Sequence, residues 1–106
     1  MGGEFSEIRV TCGSREEADK IGAALIEQFL VACVQVSGPI ESRYRWNGKV
    51  ETATEWQLAA KTRTCLFDEV SALIRENHSY EVPEILEFAI EDYSAEYGKW
   101  LGEQIR

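Results

Sequence analysis

Hydrophobic and polar residues alternate along four segments of the chain, a pattern typical of half-buried β-strands. The first predicted strand covers residues 5–13 (FSEIRVTCG), and the second covers residues 32–46. The third begins at residue 49 and continues through residue 62, and the fourth covers residues 85–91 (ILEFAIE). The pattern therefore predicts a sheet of four strands.

Apolar residues recur at helical spacing between these strands. Ser14 and Glu17 form a capping box that opens the first predicted helix, and the second is predicted from residue 64 or 65 to about residue 77. Ser94 is predicted to cap a short last helix. The order β-α-β-β-α-β followed by a C-terminal helix predicts an α+β fold, the ferredoxin-like sandwich with both main helices on one face of an antiparallel sheet.

The second and third strands form an unusually long hairpin. They are joined by Asn47-Gly48, a dipeptide that favours a tight type I′ turn, and the second is predicted to bend at Gly38-Pro39. The third strand would span about 45 Å at about 3.4 Å per residue. A domain of this size has a radius of gyration of about 13 Å. The hairpin is longer than its own domain, so we expect another copy of the chain to cover it.

The length and charge of the chain limit its domain count and the kinds of partner it can bind. A chain of 106 residues predicts a single domain over residues 1–106, with residues 1–4 expected to be frayed or engineered. The formal net charge of −8 disfavours nucleic acid as a partner and favours cations. No apolar run is long enough to span a membrane and no signal peptide is recognisable, so a cytoplasmic protein is expected. Gly2 followed by Ser6 also fits the short myristoylation pattern.

The three cysteines, Cys12, Cys33 and Cys65, are odd in number and widely spaced, which argues for reduced thiols. Two functions hosted by this fold are excluded. A copper chaperone of this fold needs two cysteines in a C-x-x-C motif, and Cys12 has no such partner. An RNA-recognition domain needs aromatic platforms and a basic surface, and both are missing. No nucleophile-base pair or phosphate loop is recognisable either, so we do not expect an enzyme.

A set of residues in fixed order is more specific. It comprises ACV at 32–34, Ser42, Tyr44, Trp46, Gly48, Glu55, Lys61-Thr62, His78, Tyr80 and Pro83-Glu84. The set closely resembles the CutA family of divalent-cation tolerance proteins, from about Ile8 to Leu101. The resemblance implies a tight homotrimer similar to the PII signalling proteins, linked to copper and other divalent ions, with no obligatory cofactor and no established turnover. Gln35 stands where the family usually has Asn.

The hairpin register predicts which residues meet a neighbouring protomer. With a two-residue loop Tyr44 faces Glu51, and Ser42, Tyr44 and Trp46 share one face of the ribbon. Subunit-interface packing is the favoured role for Tyr44 and Trp46, and stacking on a ligand is the alternative.

Four other residues of the family pattern receive structural roles. Glu55 and Lys61 share one strand face about 20 Å apart, too far for an acid-base pair. Lys61 is predicted to form an ion pair, within the protomer or across the trimer. Tyr80 and Pro83 are predicted to shape the connection that follows the second helix.

The fold topology places Cys12 and His78 at one end of the sheet and Cys33 and Cys65 at the other, beside Lys61. A metal site made of Cys12, His78 and Cys33 would therefore cross a subunit boundary. Thiolate and imidazole suit copper or zinc. Two alternatives to a metal site stay open. In the first, the cysteines are buried hydrophobic groups and His78 forms a hydrogen bond with the backbone. In the second, the trimer is a PII-like module that binds a small molecule or a partner protein in the clefts between its subunits.

Overall fold

The computed structural model describes residues 3–106. The strands are β1 (Phe5–Cys12), β2 (Val31–Trp46), β3 (Lys49–Arg63) and β4 (Ile85–Ala89), and the helices are α1 (Arg15–Glu27), α2 (Phe67–Asn77) and α3 (Ala95–Gln104). The four strands form one antiparallel sheet in the order β2-β3-β1-β4. The predicted βαββαβ sandwich with a C-terminal helix is confirmed.

The core lies between α1, α2 and one face of the sheet. In β1 the side chains of Ile8 and Val10 are fully buried, whereas Glu7 and Arg9, which alternate with them, are half-buried on the other face. Ile21 of α1 belongs to the same buried cluster. Burying a side chain of this size stabilises the fold by about 1.5–3 kcal/mol.

The second sheet face is more polar, and α3 packs at one end of it, where Arg63 donates to the carbonyl of Gly102 at 2.9 Å. Leu101 of α3 is fully buried and belongs to the core cluster.

The helix caps follow the sequence signals. Ser14 Oγ accepts a hydrogen bond from the backbone N–H of Glu17 at 3.1 Å, and Ser94 Oγ accepts one from the N–H of Tyr97 at 3.2 Å. The second helix has no side-chain cap, and a 3-10 turn over Thr64–Leu66 precedes it. The strand β4 ends at Ala89, two residues earlier than predicted. Its pairing with β1 ends there because β1 begins at Phe5, whose carbonyl accepts the last hydrogen bond, from the N–H of Ile90.

The hairpin of β2 and β3 has the predicted register. Asn47 and Gly48 have positive φ angles of 51° and 78°, and Trp46 pairs with Lys49, Tyr44 with Glu51 and Ser42 with Ala53. We call residues 40–55 the arm. It leaves the sheet beyond an irregularity between Ser37 and Ile40, and the longest dimension of the chain is 46 Å. The arm extends past the core.

A glycine is required where the arm begins. Gly38 has a φ of 155°, and a Cβ there would lie 2.5 Å from Cδ1 of Trp56. No other residue fits this bend without moving the tryptophan. The bend predicted at Gly38-Pro39 is therefore confirmed.

The N-terminal segment is described from Gly3. Glu4 forms an ion pair with Arg63 at 2.6 Å, and its carbonyl accepts from the N–H of Thr64 at 2.9 Å. The myristoylation pattern at Gly2 falls outside the described residues. Within residues 3–106, none of the helices combines the length and the apolar composition that a membrane crossing requires.

Candidate functional site

Three potential metal ligands meet at one end of the sheet. Cys12 ends β1, Glu17 lies in the first turn of α1, and His78 follows α2. Their donor atoms all lie within 4.8 Å of one another, and theirs is the one such group of Cys, His and acidic residues that we find in residues 3–106. The structure thus brings together Cys12 and His78, as the topology predicted, and adds Glu17.

His78 is held by the backbone on both ring nitrogens. Its side chain is fully buried. Nε2 lies 2.8 Å from the carbonyl oxygen of Thr11, and Nδ1 accepts from the N–H of Tyr80 at 3.1 Å. These partners assign the neutral tautomer with the proton on Nε2. A metal ion at Nδ1 has to displace the N–H of Tyr80.

The thiol of Cys12 is protonated at neutral pH. Burial, and then the negative charges of Glu17 and Glu55, raise the pKa of Cys12 from 9.0 to about 12. The same negative charges attract a cation, and a bound transition metal deprotonates a coordinating thiol outright. A thiolate, an imidazole and a carboxylate together suit zinc or copper. The donor set therefore fits a soft divalent ion.

Glu17 was missed as a candidate ligand. Its carboxylate accepts hydrogen bonds from the N–H of Ser79 at 2.8 Å and from the hydroxyl of Ser79 at 3.2 Å. The signal was present in the sequence, because a capping-box Glu lies in the first helical turn, and here that turn directly follows the strand end that carries Cys12.

Cys33 is far from this group within one chain. It lies at the start of β2 opposite Lys61, and its sulfur is 3.9 Å from the hydroxyl of Tyr97. The predicted ligand set of Cys12, His78 and Cys33 is therefore not assembled by a single chain, because β2 begins at the opposite end of the sheet. Cys65 is exposed in the turn before α2.

Lys61 forms its ion pair within the chain. Its ammonium group lies 3.6 Å from Glu7 and donates to Oε1 of Gln35 at 3.1 Å. Of the two alternatives left open for Lys61, the structure shows the one within the protomer. Gln35, the departure from the usual Asn, reaches this lysine.

A groove of about 410 Å³ lies next to the Cys12 group, between the arm and the segment after α2. It is lined by Thr11, Tyr44, Trp46, Glu55, Tyr80, Glu81, Val82 and Glu84. The hydroxyl of Tyr80 donates to Oε2 of Glu55 at 2.8 Å. Burial, and then this hydrogen bond and the charge of Glu55, raise the pKa of Tyr80, so the phenol keeps its proton.

The hydrogen bond between Tyr80 and Glu55 was not predicted from the sequence. Tyr80 was predicted to shape its connection, and no spacing rule links it to Glu55, which is 25 residues away. Pro83 is half-buried within the segment that borders the groove, and Ser42 is half-buried on the arm.

Comparison with known proteins identifies the family. The model of the CutA1 divalent ion tolerance protein family matches residues 7–104. The chain belongs to this family. A protein of Archaeoglobus fulgidus named divalent-cation tolerance protein CutA is 40% identical over 98 residues, which are 92% of this chain and 95% of that protein.

Other CutA1 relatives agree. The rice protein named CutA 1, chloroplastic, is 35% identical over 93% of this chain, and the match spans only 56% of the rice protein. The solved structure of the divalent cation tolerance protein from Thermus thermophilus superposes with a TM-score of 0.93 at 35% identity, covering 96% of this chain and 99% of that one. The CutA1 fold and the family resemblance are thus confirmed.

Proposed function

We propose that this chain is a homotrimeric, non-catalytic divalent-cation tolerance protein that binds copper or a related soft metal ion at Cys12, Glu17 and His78. The observation that carries the proposal is the approach of the three donor atoms to within 4.8 Å. The family name and the formal net charge of −8 support a cationic ligand. The bound ion would add a positive charge between Cys12 and Glu17. Cys33 remains a further ligand only if another protomer supplies it.

The arm supports the trimer. Its large apolar residues are exposed in the isolated chain: Tyr44 is 44%, Trp46 is 52% and Val50 is 59% exposed. A two-stranded ribbon is marginally stable without cover, and an apolar surface of this kind marks a protein interface. Sedimentation equilibrium at micromolar concentration should give about 36 kDa, three copies of the 12.0 kDa chain. A mass of one chain would contradict the proposal.

Copper competition with a chelator of known strength tests the metal site. We expect Cys12→Ser and His78→Ala each to lower the affinity at least tenfold, because each removes a donor. Cys65→Ser is the matched control, since Cys65 is exposed and lies outside the group. A loss in Cys33→Ser would mean that a second protomer contributes. The circular dichroism of each variant shows whether it is folded.

If Cys12→Ser and His78→Ala both bind copper like the parent, the metal site is wrong. The second candidate function is then the PII-like one, binding of a small molecule or partner in a cleft. It is favoured by one specific observation, a buried carboxylate in the wall of the groove. The three cysteines are free thiols, which supports the cytoplasm as the proposed compartment.

A further inference from the structure

Glu55 is a buried carboxylate without a cationic partner among residues 3–106. The residue is 6% exposed. Its Oε2 accepts from Tyr80, whereas none of the ion pairs among residues 3–106 includes Glu55. Buried charges in proteins are normally paired, because removing an ion from water is costly. Glu55 also lines the groove, so a cation entering it would supply the missing charge.

The walls of the groove combine anionic and aromatic groups. Glu81 and Glu84 add two exposed carboxylates, and Tyr44 and Trp46 add aromatic rings that are about half exposed. Aromatic faces attract organic cations and cover methylene groups. In the part of the chain that the structure describes, no cationic side chain lines the groove. Its chemistry is complementary to a positively charged organic ligand.

The spacing of the carboxylates argues against a metal ion here. The group at Cys12, Glu17 and His78 is the one set in residues 3–106 whose donor atoms come within 4.8 Å of one another. The acidic residues of the groove do not converge in this way. A groove that combines carboxylates with an apolar wall matches a ligand that carries positive charges on an aliphatic chain.

We propose that the groove binds an aliphatic polyamine, with one ammonium group against Glu55, another at Glu81 and Glu84, and the methylene chain against Tyr44 and Trp46. Each ammonium group donates charge-assisted hydrogen bonds to carboxylate oxygens. The hydroxyl of Tyr80 keeps Glu55 in place. The proposal rests on the second candidate function, in which the groove is part of a cleft between subunits, so that Tyr44 and Trp46 pack at the interface and also border the cleft. The proposal does not depend on the metal site.

Calorimetric titration of the full chain with spermidine tests the proposal. We expect saturable binding, no binding of the neutral chain 1,8-octanediol, and at least tenfold weaker binding of Mg²⁺, which has charge but no methylene groups. Glu55→Gln should weaken spermidine binding at least tenfold, because it removes the negative charge that the ammonium group contacts. The amide oxygen can still accept the hydrogen bond from Tyr80. The exposed double variant Glu81→Gln/Glu84→Gln should do the same without affecting the fold. Glu27→Gln is the control, since it removes one exposed charge at the far end of α1.

Four outcomes would overturn the proposal: no saturable binding at millimolar spermidine, binding no tighter than that of Mg²⁺, an unchanged affinity in Glu55→Gln, or an unchanged affinity in the double variant. If spermidine does not bind and Glu55→Gln dissociates the assembly, the cation opposite Glu55 belongs to a second copy of the chain. The metal proposal is judged separately, because Cys12→Ser should retain spermidine binding and Glu81→Gln/Glu84→Gln should retain copper binding.

Discussion

Removing the hydroxyl of Tyr80 should destabilise the protein through Glu55. In Tyr80→Phe the buried Oε2 of Glu55 loses its donor, which lies 2.8 Å away. Hydrogen bonds to charged groups contribute about 1.5–3 kcal/mol, and leaving a buried acceptor unpaired costs a similar amount. Because Tyr80 is 37% exposed, water can partly replace its hydroxyl. We therefore expect a loss of about 2 kcal/mol in the free energy of unfolding.

The assay is urea unfolding followed by tryptophan fluorescence, at one protomer concentration for all variants, because assembly makes apparent stability depend on concentration. Tyr93→Phe is the matched control. Tyr93 is 38% exposed and its ring packs edge-on against Phe5, while its hydroxyl forms no hydrogen bond within residues 3–106. Its loss should stay within about 0.5 kcal/mol.

A double-mutant cycle isolates the contact. Glu55→Gln keeps an acceptor but removes the charge, so Tyr80→Phe should cost less in that background, by about 1 kcal/mol. If Tyr80→Phe loses no more stability than Tyr93→Phe, or costs the same with Gln at position 55, the idea that Tyr80 stabilises a buried charge is wrong.

Three further predictions concern other parts of the molecule. The pKa of Cys12 is about 12 in the folded protein and 9.0 in the unfolded chain. The unfolded thiol therefore loses its proton first, and the free energy of unfolding should fall as pH rises above 9. The Cys12 contribution should be about 1.4 kcal/mol smaller at pH 10 than at pH 7, and Cys12→Ala should lack this loss in urea unfolding. Trp46→Ala should weaken association by about 2 kcal/mol, measured by sedimentation equilibrium; an unchanged association constant would refute interface packing. Ser14→Ala should cost about 1 kcal/mol by losing the cap of α1, measured as a lower melting temperature, and an unaltered melting curve would show that the cap is dispensable.

The sequence was sufficient for the fold because its signals are local. Asn47-Gly48 defined the turn and hence the register of the whole hairpin, since each pair of the ladder follows from the loop length. Ser14 and Ser94 marked two helix starts for the same reason. The end of β4 was less predictable, because residues 90 and 91 continue the alternation although no partner strand continues beside them.

The site was only partly predictable. Topology placed Cys12 and His78 together, since strand directions in this fold determine which ends meet. The contact between Glu55 and Tyr80 depends on the conformation of the segment after α2, and no periodic pattern encodes it. The raised pKa of Cys12 likewise depends on Glu17 and Glu55, which come near it only after folding.

The irregularity between Ser37 and Ile40 has a consequence for how the arm can change in length during evolution. It separates the pairing of the sheet from that of the arm, so the arm can grow or shrink without shifting the core register. Side chains alternate between the two faces of the ribbon, and a change of one residue per strand would exchange those faces for every residue nearer the turn. Related chains should therefore differ in arm length by even numbers of residues per strand, in steps of about 7 Å.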